Sequence, residues 1–253
     1  MMRFSSFFLA FGLLAACGNT GHGKKEVQPA EPAVQEVGAE VFPVFGTTDD
    51  GMPAKLVFAE AQDKGQCFFV ISKVPPVHLS VYEASGADTL LLAIYPACVA
   101  RNKGQKQMRG DNKTPESWPG KPFSITQIQD ASEWYHDFGD GRGSILSYGH
   151  WFMRLETPGF SGIGIHGSTG NRESIRTGRG SEGCIRLLDE DIIHLKEHYA
   201  RKGTPVIILP EDQGPLPFET AAYGARKREG AVPVQEVETA VETATAEPGR
   251  PRR

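Results

Sequence analysis

A mainly β domain over residues 45–212 is the fold class that this sequence predicts. Two observations carry the prediction. Short runs rich in β-branched and aromatic residues, punctuated by Gly, Pro and Asp, outnumber helical patterns throughout this stretch. One segment only, beginning at Asp189, combines helical apolar spacing with matching start and stop signals. A chain of 253 residues leaves room for one such core-forming domain and flanking sequence. With a formal net charge of -4, nothing global points to nucleic acid.

The elements follow in order. Cys67–Val74 (CFFVISKV) and Val77–Ala84 (VHLSVYEA) are strand runs parted by Pro75-Pro76, and Thr89–Ala100 is a third apolar stretch after the turn residues 85–88. They predict a hairpin followed by another strand. Residues 101–122 are polar and full of turn signals, and Phe123–Ile128 is the next strand. The segment 131–145 carries Asp137, Gly139, Asp140, Gly141 and Gly143 and is expected to be a loop. Its acids are too few and wrongly spaced for an EF-hand calcium site. Trp151–Glu156 and Gly162–His166 are two further strands. The helix starts with Asp189, Glu190 and Asp191, with Asp189 its expected N-cap; Ile192, Ile193, Leu195 and Tyr199 form its apolar face. Gly203 ends it, and Thr204–Leu209 closes the domain as a strand.

Both ends differ in kind from the domain. Arg3 and the apolar run Phe4–Ala16 read as a signal-peptide core, too short for a stable membrane span. It ends in Leu14-Ala15-Ala16-Cys17, a pattern resembling a bacterial lipobox, so residues 1–17 are expected to be a lipoprotein signal with lipid on Cys17. Residues 18–44 are a Gly-, Pro- and Glu-rich flexible tether, and 213–253 a disordered tail of similar composition.

The chemistry concentrates in Ile163–Leu187, IGIHGSTGNRESIRTGRGSEGCIRL. His166 ends one apolar run and Cys184 begins another. A thiol performing acyl transfer needs a base and donors for an oxyanion. His166 is the candidate base, and the Gly183 and Cys184 amides are candidate donors.

This ordered pattern of His166-Gly167, spacer, Ser181, Gly183, Cys184, Ile185 and Arg186 resembles the catalytic segment of the L,D-transpeptidases (YkuD-type domain), bacterial cysteine enzymes that remodel peptidoglycan. The chain departs from that pattern at Glu182, where the family usually has a second His. Gly110–Glu116 (GDNKTPE) resembles a further family segment, with Ser117-Trp118 following where Gly is more usual. Its favoured reading is structural, a turn held by Asp111.

The resemblance implies a β-sandwich-like catalytic domain and a peptidoglycan stem tetrapeptide as substrate. It implies ping-pong acyl transfer through a Cys184 thioester, with His166 as acid and base. Gly167 or Ser168 would orient His166; Arg186, Ser181, Gly183 and Ser168 are the expected substrate-binding residues. An imidazolium at His166 is expected to favour the Cys184 thiolate. The alternatives are an L,D-carboxypeptidase or amidase using water, or a catalytically silent cell-wall-binding lipoprotein. The expected partners are stem peptides and, through Cys17, a membrane, with the protein exported to the envelope as a periplasmic lipoprotein and monomeric. No cofactor or metal is expected; the i, i+4 pair His194 and His198 lacks the intervening Glu of a metalloprotease helix. Arg172, Arg176 and Arg179 are either substrate-facing charge or solvated side chains. Cys67 and Cys98 either pair as a disulfide or remain buried thiols. His136 and His150 are expected in packing roles.

Overall fold

The computed structural model describes residues 43–229; the signal segment, Cys17 and most of the tether lie outside them. In chain order the strands are β1 (Leu56–Val57), β2 (Cys67–Ser72), β3 (His78–Ser85), β4 (Asp88–Pro96), β5 (Val99–Ala100), β6 (Phe123–Asp130), β7 (Tyr135–Asp137), β8 (Ser144–Leu146), β9 (Trp151–Leu155), β10 (Gly164–His166), β11 (Arg179–Ser181), β12 (Ile185–Arg186) and β13 (Pro205–Ile208). The helices are α1 (Glu173–Thr177), α2 (Asp189–His198) and α3 (Pro217–Arg228). Nine strands form one mixed sheet in the order β1-β4-β3-β2-β13-β6-β9-β10-β12, and β11-β5 and β7-β8 form two small ones.

The CFFVIS run of β2 is apolar at nearly every position because both sides of its sheet are covered. Phe69 and Ile71 point into the main core with Leu79, Tyr95, Met153, Ile165 and Ile185. The alternate residues Phe68 and Val70 face a second cluster with Tyr82, Leu91 and Ile207. Helix α2 covers the main core through Ile192 and Leu195, with Tyr199 just beyond it, as its spacing predicts; Ile193, expected on the same face, is only partly buried and lies outside this core. Beyond β4, Cys98 exchanges backbone hydrogen bonds with Arg186, 2.9 Å from its N–H to the Arg186 carbonyl and 2.8 Å in return. That contact joins chain near one end of the strand order to β12 at the other, so the sheet curls over into a sandwich-like closure.

Three expectations are corrected here. Residues 135–146 form a hairpin, β7–β8, with Tyr135 opposite Leu146 and Asp137 opposite Ser144; the turn-formers occupy its tip. Residues 217–228 are helix α3, not disordered tail. Pro217 starts it, Phe218 packs edge-on against Tyr82 at 5.3 Å and against Phe68 at 5.8 Å, and Ala222 is buried beneath. The compact domain therefore runs past residue 212. Finally, Asp189 does not cap α2, whose N-cap is Leu188; its carboxylate serves the loop after His166.

Candidate active site

Parallel pairing of β10 with β12 sets the site, because Ile165 lies opposite Ile185 and His166 opposite Arg186. The sequence delivers His166 at the end of one strand and Cys184 immediately before its neighbour. Both residues line one cavity of about 790 Å³, together with Arg186, Gly183, Tyr148 and Lys106.

His166 is buried, 3% exposed, and its ring stacks on Phe152 at 5.6 Å and tilts against Tyr148 at 4.8 Å. Its Nδ1 lies 2.7 Å from the Gly167 carbonyl oxygen. A carbonyl only accepts, so Nδ1 carries the proton and Nε2 is the basic nitrogen of the neutral ring. Of the two orienting groups open in the sequence, it is Gly167 that makes this contact. Ser168 is buried with its hydroxyl unbonded among the described residues, while its N–H donates to Asp189 Oδ1 at 2.7 Å. Asp189 also accepts the Thr169 amide at 3.1 Å and the Thr169 hydroxyl, and so pins the loop that presents the Gly167 carbonyl. Position 167 has no room for a side chain: a Cβ there would lie 2.8 Å from Gly149 Cα and closer still to the Asp189 carboxylate.

Cys184 is partly exposed, and its thiol donates to the Gly162 carbonyl at 3.3 Å. The turn that presents it is built by Ser181, whose hydroxyl donates to the Cys184 carbonyl at 2.6 Å and accepts the Gly183 amide at 3.2 Å. Ser181 is therefore a buried turn-former whose hydroxyl is already bonded where it lines the cavity, and the Gly183 amide is likewise engaged. The Cys184 amide makes no hydrogen bond among the described residues. Gly183 has φ +152°, and a Cβ would meet Ile163 Cδ1 at 3.0 Å and the Lys113 carbonyl at 3.2 Å.

Burial pushes the His166 imidazole down to about 3, helped by the Arg186 charge and opposed by the Gly167 hydrogen bond. Burial pushes the Cys184 thiol up, against the charges of Arg186 and Arg154, with Glu182 adding to the rise. Burial thus favours the neutral form of each group, and so works against the expected imidazolium–thiolate pair.

Arg186 is 3% exposed with no carboxylate within ion-pair distance among the described residues. Its Nε is buried without a partner, Nη1 reaches Ser174 Oγ at 3.4 Å, and its guanidinium lies 5.1 Å from the Phe138 ring centroid. A desolvated cation lining a cavity is chemically suited to an anion. The three arginines of the loop before Ser181 are occupied elsewhere. Arg172 pairs with Asp50 at 2.7 Å and Glu190 at 2.9 Å, Arg176 with Glu173 at 3.4 Å, and Arg179 with Glu211 at 2.8 Å; none lines the cavity.

Asp111 organises the cavity wall. Its carboxylate accepts Lys106 Nζ at 2.7 Å and the amides of Gln107, Met108 and Lys113 at 2.7, 3.1 and 3.1 Å. Burial works against its ionisation, yet these donors hold it below the usual carboxylate range. His136 has the packing role expected of it, edge-on to Phe138 at 4.4 Å, but the sequence reading missed that it also lines the cavity, with Nε2 3.2 Å from Glu182 Oε2. Arg101 approaches the same carboxylate at 3.5 Å. The acid that replaces the family's second His is thus matched by an imidazole from the β7–β8 hairpin. Its one sequence signal is Glu182 itself, an anion beside the nucleophile in want of a partner. Cys67 and Cys98 are separate buried thiols, and His194 bonds to the Tyr95 hydroxyl at 2.6 Å. Among the described residues no cluster of His, Cys, Asp and Glu is arranged to hold a metal.

The strand-end His166 and the turn-borne Cys184 thus open on one cavity. The model of the YkuD family, the L,D-transpeptidase catalytic domain, matches residues 79–208, and the chain belongs to that family. Among solved structures it is similar to Bd1075 of Bdellovibrio bacteriovorus, at 17% identity over 69% of this chain and 60% of the other, TM-score 0.42. It is similar to an L,D-transpeptidase from Mycobacterium smegmatis, at 15% identity over 57% and 58%, TM-score 0.38. It is also similar to the helical cell shape determining protein Pgp2 from Campylobacter jejuni, at 18% identity over 66% and 55%, TM-score 0.40. The chain spans about three fifths of the length of these proteins. No curated relative matches it in sequence.

Proposed function

We propose that this protein is a peptidoglycan-remodelling L,D-transpeptidase that acts on stem tetrapeptides through a thioester on Cys184. The observation that carries the reading is the convergence of Cys184, His166 and the uncompensated Arg186 on one cavity. The carboxylate of the substrate pairs with Arg186, which places the carbonyl between an L-centre and the terminal D-residue beside Cys184. As Sγ attacks, its proton passes to His166 Nε2. The carbonyl oxygen becomes an oxyanion and accepts the Cys184 N–H. His166 then gives that proton to the departing D-amino acid nitrogen, leaving the acyl group as a thioester. An incoming amine attacks the thioester, loses a proton to Nε2, and takes the acyl group as the thiol re-forms with that proton. Purified disaccharide-tetrapeptide, supplied with and without an acceptor amine, tests this by product mass spectrometry. A cross-linked or exchanged product is expected; a tripeptide formed equally in both would replace the transpeptidase with a carboxypeptidase.

The place of action is the cell envelope, with residues 1–17 as an export signal, 18–44 as tether and Cys17 as the lipid-bearing residue. Among the described residues no helix is long and apolar enough to cross a membrane, so this proposal rests on the Leu14–Cys17 pattern. Cys17→Ala should move the protein from the membrane fraction to the soluble exported fraction; unchanged fractionation would remove the anchor.

A further inference from the structure

Five large apolar side chains stand exposed among the described residues, and Trp118, 50% exposed, is the largest of them. An indole left in water invites an explanation, and here its backbone is held rigidly. The preceding Ser117 is buried; its hydroxyl donates to the Val206 carbonyl at 3.1 Å and accepts the Ile208 amide at 3.0 Å, and its own amide donates to the Ile208 carbonyl at 2.9 Å. Three residues on, the Lys121 amide closes the turn on the Trp118 carbonyl at 2.8 Å. The backbone that carries the indole is thus fastened to β13, an interior strand of the main sheet, rather than left in a loose loop.

Beside it lies a second cavity of 260 Å³, walled by Trp118, Pro115, Pro122, Pro158 and Phe160. This is just under the roughly 300–1,000 Å³ of drug-sized sites, the scale of one sugar ring. Phe160 lines this cavity and the catalytic one alike. Its turn is fixed too, with Thr157 Oγ donating to the Phe160 carbonyl at 2.9 Å. The rim carries donors without partners among the described residues. Gln105 uses its Oε1 for the Lys106 and Glu116 amides, both at 2.8 Å, which leaves its Nε2 free; Lys121 has no carboxylate within ion-pair distance. Ser124 and Glu156, 3.4 Å apart, supply acceptors. Flat apolar walls with a polar rim match a pyranose, which offers C–H groups on its faces and hydroxyl or acetamido groups at its edge.

We infer that Trp118 and Phe160 form a saccharide subsite that holds a sugar unit of the glycan to which the stem peptide is attached. This rests on the peptidoglycan reading of the Cys184 site: a ligand held there by its peptide continues across Phe160 onto Trp118. The subsite makes the enzyme prefer sugar-bearing stem peptides over free ones.

Two measurements test it. The first compares kcat/KM on disaccharide-tetrapeptide and on the same tetrapeptide without sugar, for wild type, Trp118→Ala and Trp118→Phe. Trp118→Ala should raise KM for the sugar-bearing substrate about five- to tenfold with kcat kept, the scale of one aromatic contact. It should leave the free peptide unchanged, and Trp118→Phe should recover most of the loss. Equal losses on both substrates would mean that Trp118 contacts the peptide, and no loss on either would mean that it contacts nothing; both overturn the proposal. The second measurement needs no turnover: the N-acetylglucosamine–N-acetylmuramic acid disaccharide, lacking peptide, is titrated while Trp fluorescence is read. Saturable quenching in wild type that Trp118→Ala abolishes supports the subsite even if the Cys184 reaction proves to be different. Quenching that survives in Trp118→Ala, or is absent in wild type, overturns it.

Discussion

Cys98 and Cys184 approach Arg186 from two directions. Cys98 pairs with its backbone from the far end of the curled sheet, and Cys184 precedes it by two residues on the nucleophile turn. The Arg186 charge pulls both thiols toward ionisation, and in both burial wins and pushes them up. What separates them is access. Cys98 is fully enclosed, its thiol donating to the Val99 carbonyl at 3.4 Å, whereas Cys184 opens on the cavity that contains His166. A neighbouring cation therefore does not set the thiol proposed as nucleophile apart from the enclosed one. The turn does, through the left-handed Gly183 and the Ser181 hydroxyl that braces it.

Removing each thiol breaks the comparison most sharply. Cys184→Ala should lower kcat by a factor on the order of 10⁴–10⁶, the scale of losing a catalytic nucleophile, with the fold intact by circular dichroism. Cys98→Ala should keep turnover and instead cost about 1 kcal/mol of stability in denaturant titration. Comparable activity in the two variants would contradict the assignment. The shared guanidinium comes next. Losing a charge-assisted hydrogen bond of about 1.5–3 kcal/mol lowers kcat/KM for Arg186→Ala roughly ten- to hundredfold. Arg186→Lys, which keeps the charge without the planar fork, should fall between. Wild-type kcat/KM in Arg186→Ala, on a peptide with a free terminal carboxylate, would show that no substrate anion sits there.

The smallest effect is the most diagnostic of resting protonation. Iodoacetamide should modify Cys184 in the native protein and reach Cys67 and Cys98 only after denaturation, since both are enclosed and burial raises Cys67 to about 11. Because burial raises the Cys184 pKa in the folded state, its alkylation rate should climb at higher pH than that of an ordinary peptide thiol, whose pKa is about 8.5. With His166 held neutral down to about 3, His166→Ala should shift this curve little. A wild-type midpoint below the peptide thiol, displaced upward by His166→Ala, would instead establish a thiolate–imidazolium pair at rest.

The parts of this site that a reader of the sequence could see are the local ones. His166, Cys184 and Arg186 announce themselves because strand ends, a glycine turn and an ordered spacing lie within one segment of 25 residues. The same locality explains helix α2, whose acidic start and apolar face need no tertiary knowledge. What stayed hidden depends on distant contacts. Nothing near His136 says that it meets Glu182, 46 positions away, because Gly139, Gly141 and Gly143 dominate the local signal and read as loop. Asp189 looks like a cap from its neighbours, yet its carboxylate crosses to Ser168 and Thr169. Helix α3 was lost to the composition of its surroundings, since its stability comes from Phe218 against Tyr82 and Phe68 rather than from its own propensity.

In the proposed reaction Cys184 carries the acyl group of the substrate. Rapid quenching of the protein with disaccharide-tetrapeptide, followed by peptide mass spectrometry, reads it directly. The account predicts that the peptide containing Cys184 gains the mass of the disaccharide-tripeptide acyl group, sensitive to hydroxylamine as a thioester is, with one D-amino acid released per adduct. Turnover of that substrate with Cys184 never acylated, or with the adduct on another residue, would contradict it.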